Sequence, residues 1–121
     1  MVLAQLTAPK LSKEFTDNLL IKLIDAINSR DIKANIILFG SAARNEMTAF
    51  SDIDLIFVVA TIDDIKPARK ALSKLSIQID WPIDLLIIDR NNFEIKSSIG
   101  GVYFDAVNEG RNLISKLEEL P

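Results

Sequence analysis

Cysteine and histidine are both missing from this chain of 121 residues. Without cysteine there are no disulfides, thiolate metal sites or thiol nucleophiles. Without histidine there are no imidazole ligands, and the commonest general base near neutral pH is gone. Any catalysis must run on carboxylates, hydroxyls, backbone amides and lysine or arginine. No apolar run approaches the roughly 20 residues that cross a bilayer. The opening MVLAQLTAPKLSKEF has neither the basic start nor the unbroken apolar core of a signal peptide. A cytoplasmic location with no membrane partner is therefore expected. No repeat, low-complexity tract or linker-like stretch interrupts the chain, which predicts one domain over 1–121 with flexible ends at 1–10 and 116–121.

Basic charge is also in short supply. The net charge is −3 and the isoelectric point is near 4.9. Direct nucleic-acid binding is not expected, because it rests on clustered lysine and arginine. At 49% hydrophobic and 26% charged residues, the composition is that of a packed domain.

Phe15, Leu19, Leu20, Leu23, Ile24 and Ile27 recur at threes and fours, which predicts an amphipathic helix from about Ser12, its N-cap, to Arg30. Asn35 to Phe39 reads as a buried strand stopped by Gly40, and Ser41 to Met47 is compatible with a helix. The strongest strand is SDIDLIFVVA, Ser51 to Ala60. Alternation there puts Asp52, Asp54, Ile56 and Val58 on one face. A connecting helix follows, with Pro67 in its first turn and Ile65, Ala68, Leu72 and Leu75 on one side. Trp81 to Asp89 is a third strand, with Asp84, Leu86 and Ile88 on a common face. A helix capped by Asn91 or Asn92 comes next, then a helix to about Asn108, a turn at Gly110 and a short strand from Asn112 to Ile114. The order predicts an α/β or α+β fold, a sheet of three to four strands with helices packed on it.

Two aspartates running straight into LIFVV, and a third inside PIDLLII, call for a physical reason. Unpaired carboxylates beside an apolar sheet repel one another and lose hydration. A divalent cation relieves both costs. Oxygen ligands without histidine or cysteine suit Mg²⁺ or Mn²⁺, and Asp52, Asp54 and Asp84 can hold two such ions in the arrangement that serves phosphoryl chemistry. Gly40-Ser41 fits the phosphate half of such a site: glycine lets the backbone approach, amides of the following turn bind anions, and the hydroxyl adds a donor. Arg44 is placed to clamp a phosphate oxygen.

Gly40-Ser41, ten intervening residues, Asp52-Ile53-Asp54 and a later strand bearing Asp84 together resemble the polymerase beta-like nucleotidyltransferase superfamily, in particular its minimal nucleotidyltransferase branch. The element order matches over roughly Ile21 to Ile114. The resemblance implies a small mixed sheet flanked by helices, and transfer of a nucleoside monophosphate from a nucleoside triphosphate, ATP foremost, to a hydroxyl. It implies that Gly40 and Ser41 contact the triphosphate, that Asp52 and Asp54 bind both metals, and that Asp84 completes the site and helps deprotonate the acceptor. It further implies a partner, a HEPN-domain ribonuclease toxin whose tyrosine is adenylylated, with this chain as the antitoxin. Where members often read GSRARG, this chain reads GSAARN, with Ala42 and Asn45 in place of arginine and glycine. Two other readings stand beside it: an antitoxin that works by binding alone, and a homodimeric enzyme acting on an aminoglycoside.

Overall fold

A computed structural model describes residues 8–117. The ends expected to be flexible fall largely on 1–7 and 118–121, outside the described residues. Inside them, Lys10 bridges Thr48, and the Leu117 N–H donates to Asn35 Oδ1 at 3.0 Å.

Helix α1 spans Lys13–Asn28. Its N-cap is Ser12, whose Oγ accepts from the Phe15 N–H at 3.1 Å. Strand β1 is Ala34–Phe39 and runs directly into a single turn, α2, Gly40–Ala43. Strand β2 is Ile53–Val59. After a 3₁₀ turn at Ile62–Asp64 the connecting helix comes in two pieces, α3 at Ile65–Ala71 and α4 at Leu75–Ile79. Strand β3, Ile83–Asp89, leads into α5, Arg90–Ile99. Helix α6, Val102–Glu109, and strand β4, Arg111–Ser115, complete the order.

Four strands form one mixed sheet in the order β3-β2-β1-β4. β1 is antiparallel to both β2 and β4, and β2 is parallel to β3. Alternation sorts the side chains of β2 onto two cores. Ile53, Leu55, Phe57 and Val59 face α1, α3 and α4, meeting Leu19, Leu23, Ile27, Ala68, Leu72 and Ile79. Ile56 and Val58 face the other way with Ile37 and Ile88, under Phe93 of α5 and Tyr103 and Ala106 of α6. The sheet is thus covered on both faces, and each fully buried aliphatic side chain stabilises it by about 1.5–3 kcal/mol. Asp54 and Asp84 belong to the second face, where Asp54 is half-buried and Asp84 exposed.

Three expectations about the elements need correction. The helix after Gly40 is one turn and does not reach Met47, because Asn45 takes a left-handed φ of 58° and reverses the chain. Helix α5 is capped by Asp89, whose carboxylate accepts from the Asn92 N–H at 3.1 Å, and not by Asn91 or Asn92. The connecting helix breaks between Ala71 and Leu75 so that both Leu72 and Leu75 reach the core.

Candidate functional site

The topology gathers the site at one edge of the sheet. β1 and β2 are antiparallel, so the C-terminal end of β1 lies beside the start of β2. β3 is parallel to β2, so its start lies there as well. In register, Phe39 pairs with Asp54, and Asp54 with Asp84. Adjacent strands lie roughly 4.8 Å apart, so the Asp54 and Asp84 carboxylates project side by side. Asp52 sits one residue before β2, exposed at its mouth, not inside the strand as the pattern predicted.

Gly40 makes the turn possible twice over. Its φ is +68°, and a Cβ built on it would lie 2.2 Å from Asp54 Oδ2. Only glycine lets the backbone reverse there with the carboxylate pressed against it. Ser41 and Arg44 follow on the same short turn.

Gly40, Ser41, Arg44, Asp52 and Asp54 line a single cavity of about 560 Å³, together with Glu46, Thr48, Phe50 and Ser51. Asp84 does not line it but stands exposed next to Asp54. The loop before Asp52 is tied down from several sides. The Thr48 N–H donates to Ser51 Oγ at 2.9 Å, and the Phe50 N–H to Thr48 Oγ1 at 3.2 Å. Trp81 Nε1 donates to the Ser51 carbonyl at 2.8 Å, while its ring meets Phe15 at 5.7 Å. Trp81 thereby positions the residue next to Asp52. The sequence pattern placed Trp81 only at the start of a strand and gave no role to Thr48, Phe50 and Ser51. Glu46 was also passed over: its Oε1 lies 3.2 Å from Arg44 Nε. The local signals were a glutamate two residues from an arginine and an aromatic set between a polar turn and the acids.

The electrostatics are those of a crowded acidic edge. Burial raises the Asp54 carboxyl above the ordinary carboxylate range; the neighbouring charges of Asp84 and Asp52 add to the rise, and Arg44 opposes it. Among the described residues, no three acidic groups converge into a ready-made metal site. Mg²⁺ seldom needs one, being held by one or two carboxylates with substrate phosphates and water supplying the rest. The donor set fits such an ion: all-oxygen ligands and mutual repulsion that a cation would relieve.

The two departures from GSRARG have structural explanations. Asn45 occupies the left-handed conformation that glycine would take. Ala42 is fully buried in the core beneath the turn, so its side chain takes nothing from the cavity. Lys66, Arg69, Lys70 and Lys74 lie exposed on α3 and in the turn that follows it. Of the aromatic pair on α6, Tyr103 packs edge-on against Phe93 at 6.1 Å, whereas Phe104 is 44% exposed and not core. Among the described residues no helix is long and apolar enough to cross a membrane.

Comparison with known proteins agrees with this geometry. Residues 20–119 match the nucleotidyltransferase domain family. No curated protein sequence matches. A crystal structure assigned to a nucleotidyltransferase aligns at 18% identity over 78% of this chain and 97% of its own, with a TM-score of 0.52. One from Sulfolobus solfataricus aligns at 16% identity over 88% and 91%, with a TM-score of 0.50. A weaker likeness, at 21% identity over 82% and 73% with a TM-score of 0.49, is to a chain of a toxin-antitoxin complex with AMP-PNP. With residues 20–119 matched, a four-stranded mixed sheet between helices, and acids and a glycine turn gathered at one edge, this chain belongs to the nucleotidyltransferase domain family.

Proposed function

We propose that this protein transfers AMP from ATP to a hydroxyl of a partner protein, a tyrosine of a HEPN-domain ribonuclease toxin, and so acts as that toxin's antitoxin. The observation that carries the transfer half is the placement of Asp54 between Gly40 and Asp84, beside a cavity lined by Ser41, Arg44 and Asp52. The triphosphate lies along the Gly40-Ser41 turn, with the Ser41 hydroxyl and the Arg44 guanidinium as donors. Asp52, Asp54 and Asp84 would hold Mg²⁺, as two ions, or Mn²⁺, which when bound supplies charge neutralisation on the phosphates and activation of the attacking oxygen. The acceptor oxygen bonds to the α-phosphorus, the bond from that phosphorus to the bridging oxygen breaks, and pyrophosphate leaves. The hydroxyl proton passes to the exposed carboxylate of Asp84. The partner half rests on the sequence resemblance to minimal nucleotidyltransferases and on an acidic chain complementing a basic RNA-cutting protein. Exposed Ile95, Ile99, Phe104 and Val107 on α5 and α6 offer apolar surface for a complex.

The test is to incubate the protein with its neighbouring-gene product, ATP and Mg²⁺ and to measure intact masses. Adenylyl increments on a partner tyrosine are expected, and are lost with EDTA or in Asp52→Ala/Asp54→Ala. An unmodified partner still bound tightly by that double variant would reduce the function to binding. Labelling of an aminoglycoside in place of a protein would move the acceptor to a small molecule.

A further inference from the structure

We infer that Phe50 is the platform on which the base of the bound nucleotide stacks, an assignment that rests on the triphosphate reading of the same cavity. Apart from Gly40, the other residues lining the cavity are polar or charged: Ser41, Arg44, Glu46, Thr48, Ser51, Asp52 and Asp54. Phe50 is the one aromatic residue in that lining, and it is 55% exposed. Met47, three residues earlier, is by contrast drawn into the core and 1% exposed.

Hydrogen bonds hold the backbone of the loop that carries the ring. Thr48 and Ser51 close it with a reciprocal pair of bonds, Thr48 N–H to Ser51 Oγ at 2.9 Å and Ser51 N–H to the Thr48 carbonyl at 3.1 Å. The Phe50 N–H is bound to Thr48 Oγ1, and Trp81 clamps the Ser51 carbonyl. One end of the loop is anchored by the Leu11 N–H on the Met47 carbonyl at 2.7 Å. A tied backbone loses little freedom when a ligand settles on the loop, which lowers the ordering cost of binding.

Size and division of labour agree. A cavity of about 560 Å³ lies in the range of roughly 300–1,000 Å³ that holds drug-sized ligands. Gly40, Ser41 and Arg44 satisfy phosphate, and nothing in them addresses a base. Stacking on an aromatic ring is worth about 1–3 kcal/mol per base and tolerates any base, since each has a π-face. Phe50 therefore contributes affinity for the nucleoside and little choice among bases.

Binding of Mg·ATP and of Mg·tripolyphosphate, which carries the phosphates without the nucleoside, tests this by calorimetry. Phe50→Ala and Phe50→Leu should each weaken Mg·ATP binding roughly tenfold and leave tripolyphosphate unchanged, with melting temperature preserved. The leucine variant keeps apolar bulk without a π-face. Phe50→Trp should restore ATP affinity. Equal loss for both ligands would make Phe50 a mere support of the loop and overturn the assignment, as would no loss for either. Wild-type protein binding tripolyphosphate as tightly as ATP would remove the platform and keep the phosphate site. Wild-type protein binding neither ligand would overturn both.

Discussion

Gly40 and Asp54 are interdependent, because the absence of a side chain on one is the space that the carboxylate of the other fills. Gly40→Ala should cost stability only about 1 kcal/mol, chiefly the left-handed φ, since the far end of Asp54 can swing aside. Activity should fall by orders of magnitude, because Asp54 must leave its place; parallel thermal melts and adenylylation rates separate the two effects. Asp54 itself is held against its own preference. Its carboxyl is raised by burial and by Asp84 and Asp52, so the folded state holds the proton more tightly than the unfolded state. The stability it contributes is fully present below the ordinary value of about 3.9 and is lost as pH rises through the raised one. Asp54→Asn should therefore stabilise the metal-free protein at pH 7 by about 1 kcal/mol while abolishing transfer, and the gain should shrink in acid. Arg44 is engaged by Glu46 across the exposed cavity rim. Such a pair is worth at most about 1 kcal/mol, so Glu46→Gln should tighten tripolyphosphate binding by a few-fold, as calorimetry would show.

Each element ends where a particular residue makes continuation costly or a cap favourable. Helix α1 begins at a serine cap, α2 stops at the left-handed Asn45, and α4 stops at Asp80 with φ of 56°. Strand β3 passes into α5 through Asp89, whose buried carboxylate accepts from the Asn92 side-chain amide at 2.7 Å and from the Asn92 N–H. These bonds, the side-chain one foremost, hold its carboxyl below the usual range. The stability they contribute is present above the ordinary carboxylate value and is lost as pH falls through the depressed one. Asp89→Ala should lower the melting temperature at pH 7, and the difference from wild type should shrink as pH falls below the ordinary carboxylate value and through the depressed one. Gly110 does a comparable service between α6 and β4: a Cβ there would lie 2.3 Å from the Ala106 carbonyl and 2.7 Å from Ile37 Cγ2. That close approach lets β4 pair with β1.

Taken whole, the molecule is a sheet packed on both faces with its acidic edge left open. The repulsion that Asp84 and Asp52 exert on Asp54 is a cost that a bound divalent cation would relieve, so the proposed function couples ligand binding to folding. Mg·ATP at a hundredfold excess over its dissociation constant should raise stability by about 2.7 kcal/mol. ATP with EDTA should give little of this, and the Asp52→Ala/Asp54→Ala variant almost none; thermal melts under the three conditions check it.

Much of this was legible from residue order. Apolar spacing alone marked α1, β1, β2 and β3, because helix and strand periods differ and each buries one kind of stripe. It also put Asp54 with Ile56 and Val58, and Asp84 with Leu86 and Ile88, on common faces, as the sheet has them. Local pattern was less able to locate ends: Asp52 fell outside its strand, and the cap of α5 proved to be Asp89 and not an asparagine. In both cases the residue has two acceptable local states and its neighbours choose. Strand order and register were not legible from spacing; only the family resemblance brought Gly40, Asp54 and Asp84 into one site. The contact of Asp54 with Gly40 depends on the register of β1 with β2, that of Asp54 with Asp84 on the parallel pairing of β2 with β3, and the clamp on Ser51 on a tryptophan 30 residues away. Sequence alone determined which residues are hydrophobic, which are acidic and where glycine permits a turn, because those are properties of single side chains and their spacing. Only the tertiary structure decided which of them meet, because strand order and register are set by packing the whole core at once.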